Sequence, residues 1–290
     1  MNVFDISRAP LAFVVAVAMS IYDAGATAHD VPLDLGFLNS EGGESWISFS
    51  QDGKYVVFGR HDDDCSDHRL FIVQQENGQW SGPSPVLFGG EAWRHQIRAA
   101  RFTPDGSSIL FSTNGGHEEN ETGGNFDIWK AKFEKGQFAK PARLPYPINT
   151  PAQEFHPSVT NLGALYFASD REGGRGRSDL YVARFDVEGW SVTPVAELNT
   201  EFSEPDSFIA PDESFIVFAR TNGPDGLGGD DLYISRRGDG AWHAPCHLEA
   251  SVNSVEYEYG PWVDPERTLL YFTSHKSGAA DIFSVPFPAK

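Results

Sequence analysis

Short apolar runs, not helical stripes, organise this chain. Five of them, Tyr55–Gly59, Ser108–Ser112, Leu165–Ala168, Phe215–Ala219 and Leu269–Thr273, recur about fifty residues apart. A run this short, rich in β-branched and aromatic residues and bounded by turn residues, predicts a strand. A turn precedes each run, as in SFSQDGKYVVF at 48–58, RFTPDGSSILF at 101–111, FIAPDESFIVF at 208–218 and WVDPERTLLYF at 262–272. The third copy, SVTNLGALYF at 158–167, has a shorter one. Where the turn reads Pro-Asp-Gly, Pro sets φ, Asp bonds local backbone and Gly accepts a positive φ.

Two further signals follow each run. Asp precedes two apolar residues at Asp127-Ile128-Trp129, Asp179-Leu180-Tyr181, Asp231-Leu232-Tyr233 and Asp281-Ile282-Phe283; the first copy has Arg69-Leu70-Phe71 instead. Then come Gly, an aromatic, Pro and Leu, in GQWSGPSPVL at 78–87, GQFAKPARL at 136–144, GWSVTPVAEL at 189–198 and GAWHAPCHL at 240–248. A fourth signal opens the unit: Asn-Ser or Asn-Thr, with Glu five residues after the Asn. It pairs Asn39 with Glu44, Asn149 with Glu154, Asn199 with Glu204 and Asn253 with Glu258.

Four short strands per repeat of about fifty residues are the mark of a propeller blade. The expected fold is all-β: a five-bladed β-propeller of four-stranded antiparallel blades. The last repeat ends after its third strand, Ile282–Val285, and Val31-Pro32-Leu33-Asp34-Leu35 repeats the Pro-x-x-Leu spacing that it lacks. The N-terminal strand is therefore expected to complete the last blade and close the ring, which removes two exposed edges.

Composition adds a location and excludes some partners. Arg8, an apolar run from Leu11 to Ile21 and Ala26-Thr27-Ala28 have the order of a signal peptide over residues 1–28, with cleavage after Ala28. Residues 29–290 then form a single propeller domain, periplasmic or secreted, and no second long apolar run predicts a transmembrane anchor. The formal charge is -19, and such a surface repels nucleic-acid phosphates and anionic lipid. Cys65 and Cys246 belong to blades that are not neighbours, so two free thiols are expected.

The pattern of Asn-Thr, Glu and Pro followed by YFASDREGGRGRSDLYVAR at 166–184 resembles the PD40 (WD40-like) repeats. These form the C-terminal propeller of the translocation protein TolB and accompany OmpA-type domains in envelope proteins. The resemblance covers about residues 30–287 and implies a periplasmic propeller that binds an envelope protein. This chain departs from it in having no additional TolB-like N-terminal domain and no OmpA-like domain, and in five repeats where TolB-like propellers usually have six.

Candidate chemistry lies on the face that carries the loops between second and third strands. Glu44, Glu154, Glu204 and Glu258 should gather there near the axis. They could bind a cation such as Ca2+, which takes several oxygen ligands, or brace neighbouring blades while each Asn bonds its own connecting turn. The second repeat breaks the pattern, with Ala92 and Ile97 where Asn and Glu belong. Its segment EAWRHQIRAARF at 91–102 carries Arg94, His95, Arg98 and Arg101. Arg98, joined by Arg60, Arg171 and Arg220, would suit a small anionic ligand such as a sugar acid, or these arginines would pair with the surplus carboxylates. His61, Asp62, Asp64 and His68 include metal-ligand types, without the spacing of a structural zinc site. No nucleophile elbow, zinc-protease or phosphate-loop motif occurs. The sequence thus points to a non-catalytic binding or scaffold module for a protein segment or small anionic or carbohydrate ligand. The alternative is a glycoside hydrolase or polysaccharide lyase that uses axial carboxylates.

Overall fold

The computed structural model describes residues 31–32, 38, 40, 42–62, 67–115, 124–264, 266 and 268–287. The expected signal peptide lies outside them, as do Asn39, Asp64 and Cys65. Among the described residues all regular structure is β, in five sheets with a propeller arrangement.

Each sheet is laid down in the order the runs predict. The first strands are Gly43–Phe49, Ile97–Phe102, Glu154–Val159, Ser207–Ile209 and Glu258–Val263. The second strands are Tyr55–His61, Ser108–Thr113, Leu165–Ser169, Phe215–Thr221 and Leu269–Ser274. The third are Arg69–Glu76, Asp127–Glu134, Asp179–Asp186, Asp230–Gly238 and Asp281–Pro286. First, second and third strands pair antiparallel in every sheet.

The fourth strand is continuous only at Gly189–Pro194. Elsewhere among the described residues it splits in two, as Gln79–Trp80 with Ser84–Pro85, Gln137–Phe138 with Ala142–Arg143, and Ala241–Trp242 with Cys246–His247. Each gap ends at a proline, Pro83, Pro141 or Pro245, which has no N–H to give the ladder. In the last sheet Val31–Pro32 takes the fourth place, with Val31 opposite Ser284 and Pro32 opposite Phe283.

The second strands have apolar centres because they are sandwiched between neighbouring sheets. Phe58, Phe111, Phe167, Phe218 and Phe272 are all fully buried, and each such side chain stabilises the fold by about 1.5–3 kcal/mol. One apolar cluster joins Ile47 and Phe58 to Phe272 of the last sheet and Phe215 of the one before it. Successive first strands touch one another, and Glu258–Val263 touches Gly43–Phe49, so these contacts run in a cycle.

The first strands are not regular. Trp46, Ala99, His156 and Gly260 have positive φ of 53°, 47°, 50° and 63°, beside register shifts in their ladders. A bulge of this kind re-aims a side chain, and here it turns these positions towards the centre of the cycle.

Candidate functional site

In the third, fourth and fifth repeats the Asn and Glu are fasteners. Asn149 accepts the Ile128 N–H (2.7 Å) and donates to the carbonyls of Ile128 (2.8 Å) and Leu144 (2.9 Å). Asn253 does the same with Leu232 and Leu248, and Asn199 with Leu180. The partner is thus the third strand of the preceding repeat, not only the connecting turn expected from sequence. The side-chain amide stands in for a strand where the ladder stops.

Each Glu is tied within its own repeat. Glu154 accepts from the Thr150 N–H (3.0 Å) and hydroxyl (2.6 Å), Ser169 Oγ (3.2 Å) and Arg171 (3.1 Å). Glu204 is held by the Thr200 N–H (3.2 Å) and hydroxyl (2.6 Å) and by Arg220 Nε (2.9 Å). Ser254 and Ser274 hold Glu258, and Ser40 and Arg60 hold Glu44. Burial pushes the Glu154 and Glu44 carboxyls up from their ordinary values, against the opposing pull of these donors. Of the two roles open to Arg60, Arg171 and Arg220 from sequence, pairing with carboxylates is the one seen: they contact Glu44, Glu154 and Glu204. Among the described residues no group of three or more His, Cys, Asp or Glu is placed to hold a metal ion.

The sequence reading missed what lies under these cations. Directly paired residues of second and third strands form an aromatic couple in every repeat: Phe58–Phe71, Phe111–Trp129, Phe167–Tyr181, Phe218–Tyr233 and Phe272–Phe283. A cation covers four of the couples. Arg60 lies 4.7 Å from the Phe71 ring, Arg171 4.9 Å from Tyr181, Arg220 4.7 Å from Tyr233 and Lys276 4.2 Å from Phe283. In the second repeat the Trp93 ring covers the couple instead, 6.2 Å from Phe111 and 5.6 Å from Trp129. The missing Glu and the missing cation are one event.

The centre of the cycle is filled. Two residues after the Glu position stand Trp46, Ala99, His156, Asp206 and Gly260. Trp46 Nε1 donates to Asp206 (2.9 Å), which also accepts the Gly260 N–H (2.9 Å). The Trp46 ring lies 5.3 Å from both His68 and His156 and 5.5 Å from Tyr259. A Cβ on Gly260 would come within 2.9 Å of Trp46 Cδ1, so a side chain there would collide with the plug. Burial pushes His68 down to about 3, with the Arg98 and His61 charges acting the same way. Burial also lowers His156, opposed by Asp206.

Around this plug lies the loop face. Arg98 stacks 4.6 Å over the Phe126 ring, and Phe126 packs on Phe155 at 5.3 Å. Phe126 and Phe155, with Gln153, Asp170 and Arg177, line a shallow hollow of about 360 Å³. Arg94 is exposed, and His95 is half-buried against Gly115. Asp230 is raised by burial and by the neighbouring carboxylates of Asp206, Asp231 and Glu258, against a bond from Thr221. The His61 and His68 rings lie 4.8 Å apart, tilted at 52°, and His61 Nδ1 faces the Asp62 carbonyl. Cys246 is a free thiol.

No family model and no curated protein matches this sequence. Solved structures do resemble it in fold. Hydrazine synthase of Kuenenia stuttgartiensis is 14% identical over 83% of this chain and 37% of its own, with a TM-score of 0.51. The tricorn protease is 17% identical over 86% of this chain and 22% of its own, also at 0.51. This chain therefore spans well under half the length of either. The GH43 endo-arabinanase from Bacillus licheniformis is 10% identical over 85% of this chain and 94% of its own, again at 0.51. At such identities the likeness concerns architecture, and the architecture common to this chain and these structures is the all-β propeller.

Proposed function

We propose that this chain is an exported, non-catalytic binding propeller of the PD40 type. Its five sheets are five blades, and the segment at Val31 closes the ring. Its loop face takes a protein segment or small anionic ligand of the bacterial envelope. One observation carries this reading: the four repeated glutamates are held by hydroxyl, N–H and guanidinium groups inside their own repeats. A carboxyl engaged in this way is a brace, whereas glycoside hydrolysis needs two carboxyls facing one open cleft. The anion-binding part falls to Arg98, stacked on Phe126, with Arg94 and His95 beside it. A rigid ring with variable loops suits such a task.

A second reading, a carbohydrate-active enzyme, is favoured by Asp230, whose raised carboxyl is the kind a general acid requires. An arabinanase shares the architecture, but architecture hosts many activities. A panel of acidic oligosaccharides and acidic peptides, scored for heat stabilisation and for product release, separates the two. Binding without turnover, weakened at least tenfold in Arg98→Ala, is the expected result. Turnover abolished in Asp230→Asn would overturn it.

A further inference from the structure

The opposite face holds a site that the repeat signature does not announce. A cavity of about 380 Å³ opens between the hairpin turns that join first and second strands. All five repeats contribute to it, through Gln51, Pro104, Asn161, Asp212 and Asp264 among others, so it lies on the axis. Phe49, half-buried, stacks on Trp262 at 4.9 Å, and Phe208 meets Trp262 edge-on at 6.5 Å. These rings form an apolar wall.

Arg101 also lines this cavity, and it is 3% exposed. Its Nε, Nη1 and Nη2 have no hydrogen-bond partner among the described residues. The nearest carboxylate, Asp206, is 3.7 Å away, and its Oδ1 is likewise without a hydrogen bond. A buried donor left unsatisfied is destabilising, and a guanidinium has five N–H donors. A group in that state is accounted for by an acceptor that arrives from outside.

Charge and shape decide what arrives. The cavity volume is that of a small-molecule pocket, not of a protein interface. Asp206 already neutralises Arg101, Asp212 and Asp264 stand at the mouth, and the chain carries -19 overall. A further carboxylate would enter against this field. A neutral molecule with several oxygen acceptors and one flat C–H face meets both requirements.

We propose that the turn-face cavity binds a neutral sugar ring, whose oxygens accept from Arg101 while its C–H face lies on Phe49 and Trp262. The site is independent of the loop-face reading. The test is ligand-observed saturation-transfer NMR and titration calorimetry with neutral mono- and disaccharides beside the matching uronic acids. Wild type, Phe49→Ala, Arg101→Met, Asn161→Trp and Arg98→Ala are compared. Asn161 is exposed at the mouth, so Asn161→Trp obstructs entry without disturbing the core, even where Arg101→Met fails to fold. At least one neutral sugar should bind, tenfold or more weaker in Phe49→Ala and Asn161→Trp and unchanged in Arg98→Ala. Failure of every neutral sugar to bind, preference for the uronic acids, binding undiminished in Asn161→Trp, or loss in Arg98→Ala would each overturn the proposal.

Discussion

The second and fourth repeats solve one problem in two ways. Both must cover an aromatic couple where the second strand leaves the sheet. The fourth uses ions: Arg220 lies over Phe218 and Tyr233, pairs with Glu204 and donates to the Leu198 carbonyl. The second uses hydrocarbon: Trp93 covers Phe111 and Trp129, Ile97 replaces Glu, Thr113 replaces Arg, and Trp93 Nε1 donates to Thr113 (2.9 Å). The reason for completing either arrangement is energetic. A buried charge without its partner is far costlier than either complete solution.

The strongest way to break the comparison is to leave one partner behind. Glu204→Ala strands Arg220, whose side chain is 9% exposed, and should cost about 3–5 kcal/mol in urea unfolding. Trp93→Ala opens the hydrocarbon cover of the second repeat and should cost about the same. Converting the fourth repeat to the second's chemistry, with Thr200→Trp, Glu204→Ile and Arg220→Thr together, should recover most of the Glu204→Ala loss. A triple variant no more stable than Glu204→Ala would show that the two solutions are not interchangeable.

Acidity sharpens the contrast at the junction of the first two repeats. His68 accepts the Ile97 N–H on its carbonyl (3.0 Å), and its imidazole is held near 3 against an ordinary 6.5. A depressed value means that stability is intact above pH 6.5 and is lost as pH falls from there towards 3. The slope from this group alone is at most about 1.4 kcal/mol per pH unit. Unfolding measured from pH 7 to 5 should show it, and His68→Phe should flatten it. Persistence of the full slope in that variant would remove His68 from the account.

Smaller effects mark the limits. Asn199→Ala deletes both bonds to Leu180 and should cost about 1–3 kcal/mol. Arg143→Ala breaks a pair with Asp127 that is 46% exposed on the arginine side; about 0.2–1 kcal/mol is expected from double-mutant cycles. A large loss there would mean that surface pairs matter as much as the buried Glu–Arg set.

Much of this was legible along the chain. All five second strands begin where the runs begin, since a strand whose centre is buried on both faces reads as a continuous apolar stretch. The Glu spacing was visible too, and bracing was one of its two readings, but the cations that pair with it and the rings beneath them were not. Arg171 and Lys276 lie two residues further along than Arg60 and Arg220, so the four cations do not align as one motif. The couples they cover join residues 11 to 15 positions apart, and only strand pairing reveals that they touch.

The sequence by itself determined the repeat, the strands and the breaks in them, because burial, turn chemistry and proline act within a few residues. Tertiary structure decided what stands at the axis. Trp46 and Asp206 are 160 residues apart, and Arg101 meets Phe208 and Asp206 only where the first strands converge. A local pattern states what each repeat needs; which five unlike residues share the centre is settled by the closing of the cycle.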